Sequence, residues 1–310
     1  MRVAKRKKSS TRMSTLPFHL MLLPGVIIVF IYSYIPMFGT VMAFQRFDIG
    51  LGIAGFWQSE WVGLDNFRRL LMGGDAIRVI RNTFIIAGLK IVIGFPIPII
   101  VALMLNEVRN KFFKRGVQTI VYIPHFISWV IFASIIRQIF GFEGFVNLTV
   151  FPVFGIEPIN FLASNTHFVP LMVFTDIWKN FGFGTIVFLA AIAGIDPELY
   201  EAAVMDGANR GRQTWHVTLP GMRPIIVLIG VLSLQNVLNA GFEQIFNLYN
   251  SQVYLTGDII DTWVFRASFE SATPQFSLAM AVSLFRSVVS MFFIVVSYVL
   301  AYKVAKYRIF

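Results

Sequence analysis

Polar side chains interrupt two long apolar segments of this chain, at 167–195 and at 223–243. These side chains, which are amides and charged groups, are Asp176, Lys179, Asn180, Gln235, Asn236 and Asn239. A polar group costs free energy in hydrocarbon, so such residues usually face a cavity or another helix. At helical spacing Asp176 and Asn180 share one face, and Asn236 and Asn239 continue a stripe that begins at Leu232. We therefore expect these residues to line a path through a membrane.

Amides beside aromatic rings suit sugars, because hydroxyls donate and accept hydrogen bonds and the C–H faces of sugar rings stack on aromatic rings. The polar stripes thus favour a sugar path, to which Lys179 would contribute if the cargo is acidic. Interhelical hydrogen bonding that only holds the bundle together explains the same amides. Both interpretations stay open.

Four cations also lie within or near the ends of apolar runs, namely Lys90, Arg137, Lys179 and Arg286. A cavity enriched in positive charge would favour an acidic oligosaccharide, such as one of uronic acids, through charge-assisted hydrogen bonds. Ion pairs within the bundle, including one with Asp176, account for the same residues. The sequence leaves these alternatives side by side.

The residue types that catalysis would need do not come together in the sequence. No Gly-x-x-x-x-Gly-Lys-Ser/Thr phosphate loop occurs, so the chain has no nucleotide cradle of that kind. Four scattered histidines without paired carboxylates argue against a metal site or a catalytic triad, and the absence of cysteine excludes thiol chemistry. We expect a non-catalytic protein that holds no cofactor or metal.

Composition places these segments in a membrane protein. Of the 310 residues, 56% are hydrophobic and 14% are charged, and the mean hydropathy is +0.71. The chain is too apolar for a soluble domain of its size, which predicts an all-α polytopic fold with about six transmembrane helices. The segments long enough to cross about 30 Å of hydrocarbon are 16–44, 79–106, 117–140, 167–195, 223–243 and 277–304.

The distribution of basic residues predicts the topology. They crowd the tail, the loops after the second and fourth segments, and the carboxyl terminus, whereas the stretch 141–166 has none. This bias puts both termini in the cytoplasm and explains the net charge of +10 without nucleic-acid binding. Residues 1–15 are expected to form a cytoplasmic basic tail before an uncleaved first helix, and residues 16–310 a single membrane domain.

A polar island separates the fourth and fifth segments, at about 196–222. Asp196 can cap a helix that starts with Pro197, and Gly207 can turn the chain left-handed at its end. A second short helix should end before Pro220, because proline blocks a continuing helix. The sequence therefore predicts helix, turn, helix on a docking surface.

The island resembles the signature cytoplasmic loop of binding-protein-dependent ABC import permeases. That loop reads Glu-Ala-Ala, three residues, Gly, nine residues, an aliphatic residue, any residue, then Leu-Pro. The matching residues here are Glu201, Ala202, Ala203, Gly207, Val217, Leu219 and Pro220, with Asp206 directly before the glycine. We call residues 196–222 the coupling loop. Gly211 and Thr214 depart from the bulky aromatics of many relatives.

The resemblance extends to permeases of the maltose and oligosaccharide type, and it implies which other subunits the transporter contains. It implies a second homologous permease, two cytoplasmic ATPases that bind ATP and Mg²⁺, and an external solute-binding protein, around a chain surrounded by lipid in the bacterial inner membrane. Aligned on the coupling loop, Asn180, Phe181 and Gly184 before it, and Asn236 and Asn239 after it, match the positions that supply the transient sugar site.

Rival functions differ in what they require. A secondary transporter would be expected to show inverted repeats and broken helix pairs in matching halves, which the sequence lacks. A membrane-embedded enzyme would need convergent acid, base or metal ligands. An ABC permease for a solute other than a sugar remains the alternative within the same family.

Overall fold

The computed structural model describes residues 11–305, with side chains described from residue 15 to residue 299. Most of the predicted basic tail, residues 1–15, therefore lies outside the described residues. Within the described part, five helices are long and apolar enough to cross a membrane, and a bent pair can make a sixth span. The predicted all-α, polytopic class is confirmed.

The first span runs over Thr15–Phe44, as predicted. Its successive pieces are α1 (Thr11–Val29), a π-helical turn (Phe30–Tyr34), α2 (Ile35–Met37) and a 3-10 helix (Phe38–Phe44).

The loop after the first span carries a small hairpin and short helices. Its elements are β1 (Gln45–Arg46), a 3-10 helix (Ile49–Ala54), α3 (Gly55–Gln58), β2 (Glu60–Trp61) and α4 (Asp65–Met72). The two strands pair antiparallel, with Gln45 opposite Trp61.

The second span is continuous and the third is broken. Helices α5 (Gly74–Gly94) and α6 (Pro96–Glu107) form one span of 34 residues. Helices α7 (Lys111–Phe126) and α8 (Trp129–Phe140) meet at 106°, so the apolar segment predicted at 117–140 is a bent pair of helices that can make one span. The chain can turn there because Ser128 caps α8, its hydroxyl accepting from the amide of Ile131. A π-helical turn (Val146–Val150) and α9 (Phe151–Val153) follow.

The fourth span and the coupling loop follow the prediction up to Pro220. Their helices are α10 (Phe168–Ala193), α11 (Pro197–Met205), α12 (Arg210–Gln213) and α13 (Leu219–Leu234), with a π-helical turn at Thr214–Thr218. The expectation that a helix ends before Pro220 is wrong, since Arg210–Leu234 is one span of 25 residues. The amide of Leu219 donates to the carbonyl of Thr214, five residues back. This wider turn lets the helix continue through Pro220, whose backbone nitrogen carries no hydrogen to donate.

The fifth span ends earlier than predicted, because the helix ends at Leu234 and turns occupy residues 235–238. The stripe of Leu232, Asn236 and Asn239 is thus not helical throughout, and the expected span 223–243 is wrong at its end. The elements that follow are α14 (Phe242–Leu248), a 3-10 helix (Ser251–Val253), α15 (Tyr254–Gly257), α16 (Ile260–Phe265), a π-helical turn (Arg266–Glu270) and α17 (Phe276–Ala305).

Helix α10 lies at the centre of the bundle and packs against α5, α6, α7 and α13. Its approach to α7 is close, since a Cβ added to Gly182 would lie 1.9 Å from the carbonyl oxygen of Val121. Only glycine fits there. Phe132, Phe168 and Met172 belong to the large core cluster on one side of α10, and Phe188 to a second cluster nearer the coupling loop.

A buried ion pair ties together the segment that follows α15. Both terminal nitrogens of Arg266 donate to the carboxylate of Asp258, with Nη1 3.2 Å from Oδ1. The Asp258 side chain is fully buried, and the hydroxyl of Thr262 also donates to it. The guanidinium lies 4.2 Å from the ring centroid of Tyr254. Such a network is rigid because each buried polar group has a partner.

We expect Asp258→Asn to lower the free energy of unfolding by about 3–5 kcal/mol, because it leaves the half-buried Arg266 without a counter-ion. Thermal unfolding of the purified complex measures this as a lower Tm. Glu60→Gln is the matched control: it breaks the exposed Arg46–Glu60 pair and should cost at most about 1 kcal/mol. Equal shifts in Tm for the two variants would contradict the assignment.

Candidate functional site

A cavity of about 510 Å³ lies between α5, α10 and the end of α13. Its wall is mixed, with apolar groups toward α6 and amides and charges toward the turn after α13. The apolar part of the wall includes Phe95, Pro98, Ile177, Val187, Phe188 and Ile229. The cavity therefore sits where the fifth span stops being helical.

Five of the seven predicted path residues line this cavity, namely Asn180, Phe181, Gly184, Asn236 and Asn239. The turn that ends α13 brings Asn236 and Asn239 to it. Lys179 and Gln235 are not among the lining residues; Lys179 is buried and Gln235 is exposed. The structure thus brings together most of the predicted set, on two walls of one space.

The two charged groups of the cavity wall form an ion pair at one end. Lys90 Nζ lies 3.3 Å from Asp176 Oδ1 and 2.7 Å from the carbonyl oxygen of Ala240. It also donates to Gln244 Oε1. The amide nitrogen of Gln244 donates to the Met172 carbonyl and to Thr175 Oγ1, each at 2.8 Å, which turns its oxygen toward the ammonium group.

Lys179 has a different role from the one expected. Its ammonium group donates to the carbonyls of Pro124, His125 and Ile127 at 2.6–3.0 Å and lies 5.4 Å from the ring centroid of Trp129. These carbonyls lie at the bend between α7 and α8, where the regular helical pattern stops; that of Pro124 also accepts from the amide of Ile127 at 3.3 Å. The cation that pairs with Asp176 is Lys90, not Lys179.

His125 orients one of the path amides. Its Nδ1 lies 3.1 Å from Asn180 Oδ1, and its ring stacks on Phe183 with centroids 4.2 Å apart. With the proton on Nδ1, the imidazole donates to the amide oxygen, so the amino group of Asn180 is free for an acceptor in the cavity. No local pattern in the sequence indicates this contact, because 55 residues separate the two partners.

The coupling loop forms the second candidate site. The Asp196 carboxylate accepts from the amide of Glu198 at 3.0 Å, which caps α11 as predicted. At the other end Gly207 has φ +74, the amide of Ala208 donates to Ala203, and that of Gly207 to Val204. This is the Schellman arrangement, and it closes the helix where the sequence predicts.

The coupling loop exposes several large apolar side chains, although most of its sequence is polar. Leu199 is 54% exposed, Val204 58%, Met205 87% and Trp215 69%. Two grooves flank α11. A groove of about 360 Å³ is lined by Ala202, Ala203, Asp206 and others, and one of about 930 Å³ by Tyr200, Glu201 and Arg210 among others. Exposed apolar groups rimmed by charge are typical of a surface that docks a partner.

Leu219 and Pro220, the last residues of the motif, lie at the start of α13. The hydroxyl groups of Tyr200 and Thr218 are 3.0 Å apart, so α11 is bonded to the turn that precedes α13. The docking surface and the fifth span are therefore mechanically continuous.

Among the described residues no three His, Asp or Glu side chains converge in a way that could hold a metal ion. The cavity wall carries amides, aromatic rings and one ion pair, groups that can bind and orient a ligand.

Comparisons with known proteins identify the family of the chain. Residues 94–306 match the family described as binding-protein-dependent transport system inner membrane component. LplB of Bacillus subtilis is 43% identical over 277 residues, 89% of this chain and 85% of that protein. The B. subtilis polygalacturonan/rhamnogalacturonan transport system permease YteP is 42% identical over 285 residues, 92% and 87% of the two chains.

Two solved structures have the same fold. A chain of a bacterial ABC transporter that imports the acidic polysaccharide alginate has a TM-score of 0.86 and 36% identity, over 94% of this chain and 97% of that chain. A chain of a bacterial alginate ABC transporter in complex with a pentasaccharide-bound periplasmic protein has a TM-score of 0.85, also at 36% identity, over 95% and 96%. The chain belongs to the family of inner-membrane components of binding-protein-dependent transport systems.

Proposed function

We propose that this chain is a permease subunit of an ATP-driven importer and forms half of the path for an acidic oligosaccharide. The observation that carries the proposal is the cavity, where Asn180, Asn236 and Asn239 surround a space beside Phe181. Amides and an aromatic ring suit the hydroxyls and C–H faces of a sugar. A volume of about 510 Å³ lies within the usual range for ligand pockets.

Two observations favour an acidic cargo. Lys90, the cation of the cavity wall, offers a charge-assisted hydrogen bond to a carboxylate. Similar proteins act on acidic sugars: one imports alginate, and another is a polygalacturonan/rhamnogalacturonan permease. Lys179 is not part of this proposal, since three backbone carbonyls occupy it.

The partners that we propose are a second homologous permease, two cytoplasmic ATPases and an external binding protein. The ATPases would bind ATP and Mg²⁺ and receive the coupling loop in a cleft, for which the exposed Val204, Met205 and Trp215 are suited. Closure of the ATPase dimer on ATP would carry α11 inward and turn the bundle from inward-facing to outward-facing, and hydrolysis would reset it.

We place the chain in the bacterial inner membrane with both termini and the coupling loop in the cytoplasm. An importer for a solute other than a sugar is the remaining alternative. Binding of neutral and acidic oligosaccharides to the cognate external protein would separate the two: binding of neither class would refute the sugar proposal.

The topology predicts opposite accessibility for two exposed side chains. Met205 is 87% and Phe154 72% exposed, and the proposed topology puts them on opposite sides of the membrane. The chain has no native cysteine, so Met205→Cys and Phe154→Cys can be labelled singly with an impermeant thiol reagent. In intact cells Phe154→Cys should react and Met205→Cys should not until the membrane is permeabilised. Labelling of Met205→Cys in intact cells would contradict the proposed topology.

The coupling loop should transmit ATP hydrolysis. Gly207→Pro is incompatible with φ +74 and removes the amide that caps α11, while Glu201→Lys reverses a charge on the docking surface. Each should reduce cargo-stimulated ATPase activity of the purified complex by about tenfold or more.

The matched control is Glu157→Lys, the same charge reversal at an exposed residue on the proposed outer side. It should keep full activity. Full stimulation in the Glu201→Lys and Gly207→Pro complexes would show that this loop does not couple to the ATPases.

The path proposal distinguishes two neighbouring amides. Asn236 lines the cavity and Gln235 does not. Asn236→Leu should cost about 1–3 kcal/mol of cargo interaction, because it leaves cargo hydroxyls unpaired. This corresponds to about a 5- to 150-fold rise in the KM of transport. Gln235→Leu, the same change one residue away, should leave KM within about twofold; the reverse order would exclude this cavity as the path.

A further inference from the structure

Lys90 is held in the cavity wall mainly by neutral acceptors. Its side chain is 8% exposed, and two of its three partners are the Ala240 carbonyl and Gln244 Oε1. Gln244 is itself fixed by its bonds to α10, and a Cβ at Gly241 would lie 3.0 Å from the ammonium group. The cation is therefore positioned independently of its counter-ion.

Asp176 is the outlying partner of this group. At 3.3 Å it is farther from Nζ than the Ala240 carbonyl at 2.7 Å, and its side chain remains 25% exposed. Both residues line the cavity, and they are its charged lining residues among the described side chains. A carboxylate on the wall of a cavity thus neutralises a cation that neutral groups would hold in place without it.

We propose that a cargo carboxylate replaces Asp176 as the counter-ion of Lys90, so that this ion pair is the subsite that selects acidic cargo. The proposal rests on the proposed function of the cavity as a sugar path. Carboxylate for carboxylate is an exchange of like groups: Lys90 keeps a charged partner, and Asp176, already partly exposed, turns to water in the cavity.

The exchange has a mechanical consequence. Lys90 on α5 binds Asp176 on α10. It also binds the segment 240–244, which follows α13. Removal of Asp176 from the pair breaks the direct contact between α5 and α10 at this point, while the link through Gln244 remains. Arrival of an acidic cargo therefore loosens one contact between walls of its own path.

The test compares two variants on a matched pair of cargoes. The complete transporter, with its partners, is reconstituted in vesicles, and uptake is measured for a galacturonate pentasaccharide and for the same pentasaccharide with its carboxyls reduced to alcohols. The Kd of each cargo for the isolated binding protein is measured separately. The readout is the ratio of KM for the acidic cargo to KM for the reduced cargo at saturating binding protein.

Lys90→Gln should raise that ratio by about tenfold or more, because it removes a charge-assisted hydrogen bond. Asp176→Asn, which is isosteric, should lower it, because it removes the competing carboxylate. Opposite effects of two changes in one ion pair are the signature of exchange. A pair that only supports the fold would shift both cargoes in the same direction in both variants.

Arg286→Gln is the matched control. It breaks the partly buried Arg286–Asp261 pair away from the cavity and should leave the ratio unchanged. If the wild type prefers the acidic cargo but Lys90→Gln and Asp176→Asn behave like this control, the exchange is refuted and the proposed function stands. If the wild type transports both cargoes equally well, the acidic-cargo proposal fails, and the exchange fails with it.

Discussion

Backbone polar groups in hydrocarbon have no water to pair with, and most of this structure's departures from straight helices are set by that constraint. Three prolines, Pro36, Pro152 and Pro220, each occupy the second position after a π-helical turn. In each case the amide before the proline donates to a carbonyl five residues back. The chain thus passes each proline where one donor fewer is needed, and after Pro36 and Pro220 the helix continues.

The same constraint explains the buried lysines. At the bend between α7 and α8 the carbonyls of Pro124, His125 and Ile127 leave the regular helical pattern, and Lys179 donates to all three. In the irregular segment after α13, Lys90 binds the Ala240 carbonyl. A lysine is suited to this task because its ammonium group donates up to three hydrogen bonds in different directions. Breaks in the helices and buried cations therefore occur together, and Lys90 forms part of the polar wall of the cavity.

What the sequence could predict depended on whether the determining contacts are local. The bounds of α11 follow from Asp196, Pro197 and Gly207, all within one short segment, and the prediction was confirmed. The spans at 16–44, 167–195 and 277–304 were likewise readable from apolar length. The break in 117–140 was missed because Lys179, which binds its free carbonyls, is more than 50 residues away. A helix end was predicted before Pro220 because the residue types do not show the π-helical turn that precedes it. The sequence does not single out Lys90 among the four cations as the partner of Asp176, because 86 residues separate the two.

The single helix that runs from Arg210 to Leu234 gives the docking surface a lever arm. Its 25 residues measure about 37 Å at 1.5 Å per residue, with exposed Trp215 near one end and the cavity-lining Ser233 near the other. A rod of about 37 Å that tilts by about 5° around one end moves the other by about 3 Å, roughly the width of a hydrogen bond. A tilt of that size is thus large enough to make or break hydrogen bonds in the cavity wall.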